Sequence, residues 1–114
     1  MSLAKTPEPP YYAVIFTSVR TDADPEGYGL MASEMVALAA LQPGFLGVES
    51  ARSEIGITVS YWRDEASIKS WKTNVDHLAA QQLGREKWYD AFRVRVARVE
   101  REYGFSRVEG SETG

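Results

Sequence analysis

The segment Tyr11–Arg20, reading Tyr-Tyr-Ala-Val-Ile-Phe-Thr-Ser-Val-Arg, constrains the fold more than any other stretch of the chain. Its aromatic and β-branched residues define a strand that ends at the polar turn Thr21–Asp24. A strand with one wet face alternates apolar and polar side chains. Here Ala13, Val14, Ile15 and Phe16 run consecutively, so both faces of the strand require cover. With 114 residues the chain forms one domain, because two cores of half that size would each bury too little surface. Both sides of a central strand must therefore be hidden with few elements.

Downstream the period changes. Over Pro25–Leu41, Met31, Met35 and Leu38 recur at helical spacing, with Leu30, Glu34 and Leu41 on neighbouring lines. Asp24 and Pro25 supply an N-cap and a first-turn proline, and Gln42-Pro43-Gly44 stops the helix. Phe45–Arg52 and Ile55–Trp62 read as two strands joined through Ser53-Glu54, an antiparallel hairpin. In the second of these, Ile55, Ile57, Val59 and Tyr61 share one face, and Thr58, Ser60 and Trp62 share the other. Asp64 and Glu65 open a second helix whose inward stripe is Ile68, Trp71, Val75 and Leu78, with Asn74 as an expected break and a further helical piece running through Gly84 to about Tyr89. Phe92–Tyr103 reads as a long last strand. Phe92, Val94 and Val96 hold one parity while Val99 and Tyr103 hold the other, which predicts a bulge near Ala97.

The order β-α-β-β-α-β defines an α+β, ferredoxin-like arrangement: a four-stranded antiparallel sheet with two helices on one face. The remaining face, with the first strand and the Phe92-Val94-Val96 row as its apolar material, would stay wet in a lone chain. A second copy is the simplest cover, so the expected assembly is a homodimer joined sheet to sheet, against the alternative of a monomer with exposed apolar surface. Residues 1–10, with three prolines, read as an extended arm, 11–107 as the domain, and 108–114 as a flexible tail.

Composition excludes several classes. The chain has no cysteine, which removes disulfide scaffolds, thiolate metal sites and thiol nucleophiles and fits the cytoplasm. No apolar run approaches the roughly 20 residues that span a bilayer, so no membrane partner is expected. The net charge is −3, and the arginines of 85–107 are interleaved with Glu86, Asp90, Glu100 and Glu102, which reads as a salt-bridged strand edge and not as a nucleic-acid surface. Phosphate-binding glycine motifs are absent, and one histidine, His77, cannot build a multi-histidine metal site, so neither metal nor cofactor is expected. No serine sits in a nucleophile elbow.

What remains is an aromatic and polar set in the second helical region: Trp62, Trp71, Asn74, His77, Gln81, Arg85, Trp88 and Tyr89. If the helix continues through Gly84, then His77, Gln81, Arg85 and Trp88 lie along one side and can line a groove. Such a groove suits a flat, partly anionic molecule: indoles supply stacking area, arginine pairs with an oxyanion, and histidine or an amide orients a phenol. The same spacing equally suits core tryptophans and a solvated polar face.

The stretch from Tyr61 to Tyr103 resembles the antibiotic biosynthesis monooxygenase family, most specifically at Trp71, His77, Ala80-Gln81, Gly84-Arg85 and Trp88-Tyr89. Gln42-Pro43-Gly44-Phe45 with Gly47-Val48-Glu49 is similar to that family's helix-to-strand turn. The resemblance covers roughly residues 11–104 and implies a dimeric α+β barrel. Some members oxidise polyketide-type phenols or anthrones to quinones with molecular oxygen and without metal or flavin; others cleave haem, and many have no known activity. Trp71 matches the tryptophan that lines the pocket in both branches. Where the haem branch has an iron-ligating histidine this chain has Gln81, and Tyr11–Arg20 lacks that branch's asparagine, so haem cleavage is the less favoured reading. The resemblance thus implies a cofactor-independent monooxygenase acting on a small aromatic with O2. Trp71, His77 and Arg85 are its catalytic candidates, and Trp62, Asn74, Gln81, Trp88 and Tyr89 would bind the substrate. The alternative is a non-catalytic or stress-associated barrel that holds a small hydrophobic molecule.

Overall fold

In a computed structural model, residues 3–82, 87–107 and 111–113 are described, with the side chains of 77–82 and 111–113 outside the description. The elements are β1 (Tyr11–Arg20), α1 (Pro25–Ala40), β2 (Phe45–Arg52), β3 (Gly56–Trp62), α2 (Glu65–Gln82), β4 (Tyr89–Val99) and two short strands, β5 (Gly104–Ser106) and β6 (Ser111–Thr113). The main sheet runs β2-β3-β1-β4 with every neighbouring pair antiparallel, which is the ferredoxin-like order. No helix among the described residues is long and apolar enough to cross a membrane.

Local chemistry sets the boundaries. Asp24 takes a left-handed backbone (φ 47°), accepts the Gly27 N–H at 3.1 Å and caps α1, with Pro25 in the first turn. Gly44 (φ 84°) makes the turn into β2, and a Cβ there would collide with the Ser67 side chain, so this turn needs glycine on two counts. Asp64 accepts the Ser67 N–H at 2.8 Å and caps α2. Asn74 does not break that helix: its amide donates to the Ser70 carbonyl one turn back at 3.1 Å, which leaves the backbone ladder intact.

β1 is central, and its pairing register sorts every side chain by parity. Tyr12, Val14, Phe16 and Ser18 lie opposite Trp62, Ser60, Thr58 and Gly56 of β3 and opposite Arg98, Val96, Val94 and Phe92 of β4. Because Trp62 stacks on Trp71 of α2, this is the helix-bearing face. On the other face, Ala13, Ile15 and Thr17 lie between Tyr61, Val59 and Ile57 and Ala97, Arg95 and Arg93. The arm partly covers one end of it. Ala4 rests against Gly47 and donates its N–H to Glu49 at 2.9 Å, and the Thr6 and Tyr11 hydroxyls both donate to Glu102, at 2.7 and 2.8 Å.

Two expectations change. The Phe92-Val94-Val96 row belongs to the helix face and not the bare one, so the bare face carries Arg93 and Arg95 beside a smaller apolar patch of Ile15, Val19, Ile57 and Val59. No bulge falls at Ala97. The register is regular there and shifts at Val19/Arg20; Val99, opposite Tyr11, simply faces away from the helices, and Tyr103 lies beyond the end of β4. Ser111–Thr113 pairs antiparallel with Gly104–Ser106. The expected continuation of the helix through Gly84 lies outside the described residues.

Trp62 is wholly buried, whereas Tyr103 is 86% exposed. Equilibrium urea unfolding should therefore show Trp62→Ala destabilising the protein by about 3–5 kcal/mol and Tyr103→Ala changing it by less than about 0.5 kcal/mol.

Candidate functional site

The site begins with two indoles. Trp62, the last residue of β3, is held by Nε1 donating to Ser60 Oγ at 2.9 Å and by an edge contact with Phe45 at 5.5 Å. Trp71, on the second turn of α2, stacks over it at 5.9 Å with 27° between the rings and remains partly exposed. Trp62 is thus the wall behind Trp71. Asn74, one turn further, reaches Gln42 Oε1 at 3.4 Å and so fastens α2 to the end of α1. His77 and Gln81 continue along α2, but their side chains, and the whole of Arg85, lie outside the described residues.

Trp88 and Tyr89 stand elsewhere. Tyr89 lies opposite Arg20 while Trp62 lies opposite Tyr12, so the two aromatic groups are eight β1 residues, about 26 Å, apart. Trp88 is 4% exposed and packs edge-on against Tyr28 of α1 at 6.2 Å. Tyr89 meets Tyr28 at 5.8 Å, Phe16 at 5.6 Å and Phe92 at 5.8 Å. The structure therefore brings Trp62, Trp71 and Asn74 together at one end of the sheet and Trp88 and Tyr89 at the other.

Between these ends runs the helix-side surface of β1 and β4. Phe92, Val94 and Val96 are 39%, 49% and 51% exposed there, beside Val14 and Phe16. This apolar floor, open on the side of the sheet that bears the helices, is the feature most suited to hold a ligand. Tyr28, Phe16, Phe92, Arg20 and Arg52 were not among the residues expected from sequence. The signal for Phe16 was its even position in β1, and for Phe92 its parity with Val94. A separate shallow depression of about 240 Å3 is lined by Asp24, Gly27, Leu30, Met31, Glu34, Lys87 and Trp88. Trp71 is not part of it, and the Lys87–Asp24 ion pair of 3.2 Å closes its rim. Among the described residues no three His, Asp or Glu side chains gather as a metal site would require.

The phenols are held neutral. Burial, then the neighbouring Tyr28 phenol, push Tyr89 well above the ordinary phenol range, with Arg52 and Arg20 opposing. On the bare face, burial, then the Glu49 carboxylate that accepts its hydroxyl at 2.7 Å, push Tyr61 up to about 12.

The antibiotic biosynthesis monooxygenase family matches residues 10–83, and the chain belongs to that family. It is 56% identical over 102 residues to the uncharacterized protein YqjZ of Bacillus subtilis (strain 168), spanning 88% of this chain and 89% of that protein. It is 33% identical over 57 residues to the jasmonate monooxygenase ABM of Pyricularia oryzae, a match of 50% of this chain and 26% of that one. The structure of PA3566 from Pseudomonas aeruginosa superposes with a TM-score of 0.62 at 17% identity, covering 83% of this chain and 97% of that one, a likeness of fold.

A phenol with a raised folded pKa stabilises the fold fully below its unfolded value near 10 and loses that contribution as pH rises through the folded value. Ultraviolet titration should show one phenol ionising near pH 12 that is absent from Tyr61→Phe, and the alkaline decline of the urea midpoint should be shallower in that variant.

Proposed function

We propose that this protein is a cytoplasmic monooxygenase that oxidises a small aromatic, polyketide-like or quinol substrate with O2, without a cofactor, in the cleft between the helices and the sheet. It would work as a homodimer whose copies cover each other's bare sheet faces. The observation that carries the reading is the apolar floor of Val14, Phe16, Phe92, Val94 and Val96 ending at the Trp71–Trp62 stack, in a chain of the antibiotic biosynthesis monooxygenase family. The name of the Pyricularia oryzae relative points to the same reaction class.

In this reading Trp71 packs the ring of the substrate, with Trp62 fixing the angle of the indole from behind. His77 or Arg85 favours the substrate's anion, because a cation in a water-poor site lowers the pKa of an adjacent phenol or enol. Asn74 and Gln81 complete the binding set at the Trp71 end, and Trp88 and Tyr89, at the opposite end of the sheet, would bound the far end of the cleft. The electron-rich anion itself reduces O2. For an anthrone, the methylene carbon becomes a carbonyl, one oxygen atom enters the product, and the other leaves as water with the two methylene hydrogens.

Oxygen uptake by metal-free protein with a panel of anthrones and hydroquinones tests this. Uptake above the buffer rate is expected for at least one compound. Trp71→Ala should lower kcat/KM by about tenfold or more, equal to roughly 1.4 kcal/mol of transition-state binding. Saturable binding of the panel with no uptake would instead support the second reading, a barrel that holds a small hydrophobic molecule unchanged. That alternative draws on the same apolar floor.

A further inference from the structure

Two arginines reach the Tyr28 ring at the Tyr89 end of the cleft, and among the described residues neither is ion-paired. Arg20, the last residue of β1, lays its guanidinium over the Tyr28 ring at 3.7 Å, and its Nε is buried without a hydrogen-bond partner. Arg52, the last residue of β2, donates from Nη2 to Ser18 Oγ at 2.5 Å and stands 5.8 Å from the same ring. Its place is built into the backbone, since a Cβ on the facing residue Gly56 would collide with the guanidinium. Ser18, its anchor, is 2% exposed. Among the described residues neither guanidinium has a carboxylate within ion-pair distance.

This arrangement is electrostatically incomplete. Each guanidinium offers five N–H donors in a planar fork; Arg52 donates from Nη2 to Ser18, and the Arg20 Nε–H has no acceptor. Two cations beside one ring repel each other, and a buried N–H without an acceptor is unfavourable. Tyr89 carries no charge to offset them, because a phenol held above its ordinary pKa is neutral at physiological pH. A planar anion that accepts from the outer N–H groups of both forks offsets that repulsion. From this point the exposed row Phe92, Val94, Val96 leads away along β4 for about 13 Å toward the Trp71 end. A charged end and an apolar run, continuous with each other, describe the ligand.

We propose that Arg20 and Arg52 form a carboxylate clamp, and that the ligand of the cleft is a hydrophobic organic acid whose carboxylate lies between the two guanidiniums while its apolar body lies on Phe92, Val94 and Val96. The clamp deepens the reading of the cleft as the substrate site and rests on it. Arg20 and Arg52 bind and orient; neither takes part in the oxygen chemistry.

Isothermal titration of the full chain with 2-naphthoate, neutral 2-naphthamide and inorganic phosphate tests the clamp. Naphthoate should bind at least about tenfold more tightly than the amide, and phosphate should not displace it at equal concentration. Arg20→Gln and Arg52→Gln should each weaken naphthoate about tenfold and leave the amide unchanged, with the urea midpoint of each variant measured to establish that it is folded. Equal affinity of wild-type protein for acid and amide overturns the clamp whatever the variants do. So does displacement by phosphate, which would mark an anion site with no role for the apolar floor, and so does an equal loss of acid and amide binding in the variants. Oxygen uptake on the same samples separates the two readings. Arginine-dependent naphthoate binding with no uptake of any compound leaves the clamp standing without oxidation. Uptake with neutral quinols and no preference for the acid leaves oxidation standing without the clamp.

Discussion

Hydrogen bonding of β1 to β3 on one flank and to β4 on the other is the constraint on which the rest of the molecule depends. Once both pairings are in register, each even residue of β1 faces the helices and each odd residue faces away. Val14 and Phe16 thereby lie on the apolar floor of the helix-bearing face, Ser18 becomes the anchor of Arg52, and Ile15 and Thr17 are left on a face that no helix among the described residues covers. A slip of one residue would exchange these roles and place Trp62 in water. The consecutive apolar run of β1 is therefore not excess hydrophobicity: it places apolar side chains on both faces of the sheet.

The cleft inherits its polarity from the same strand. At its Tyr12 end, β3 delivers Trp62 beneath Trp71; at its Arg20 end, β4 delivers Tyr89 beside Tyr28 and two guanidiniums. Connecting them is an aliphatic and aromatic surface with few polar atoms. A ligand lying along β4 would meet charge at one end and indole at the other. That asymmetry gives the proposed oxidation a means of presenting one defined carbon to oxygen, since a molecule held at its acid end cannot reverse.

Much of this was readable in the sequence where local chemistry decides. Tyr11–Arg20 and Phe45–Arg52 follow the runs of strand-forming residues to the residue, and α1 starts where Asp24 and Pro25 say it should. β4 was harder. Its alternating arginines and exposed valines leave only a weak parity signal, and the off-parity Tyr103 that suggested a bulge lies beyond the strand's end. The site divided along the same line. Trp62 and Trp71 are nine positions apart across one strand-helix turn, so their meeting follows from local geometry. Trp88 and Tyr89, grouped with them on helical spacing, belong to the opposite end of the sheet because β4 begins at Tyr89. Arg20 and Arg52 are brought together only by the β1–β3–β2 register through Ser18 and Gly56, which no local pattern encodes.

The pairing of two sheets is the part of the account on which the bare face of Ile15, Val19, Ile57 and Val59 bears most heavily. Sedimentation equilibrium at micromolar concentration tests it most directly. The account expects a particle of about twice the 12.7 kDa chain mass, falling to a single chain in Ile57→Glu. A wild-type particle of 12.7 kDa would contradict it.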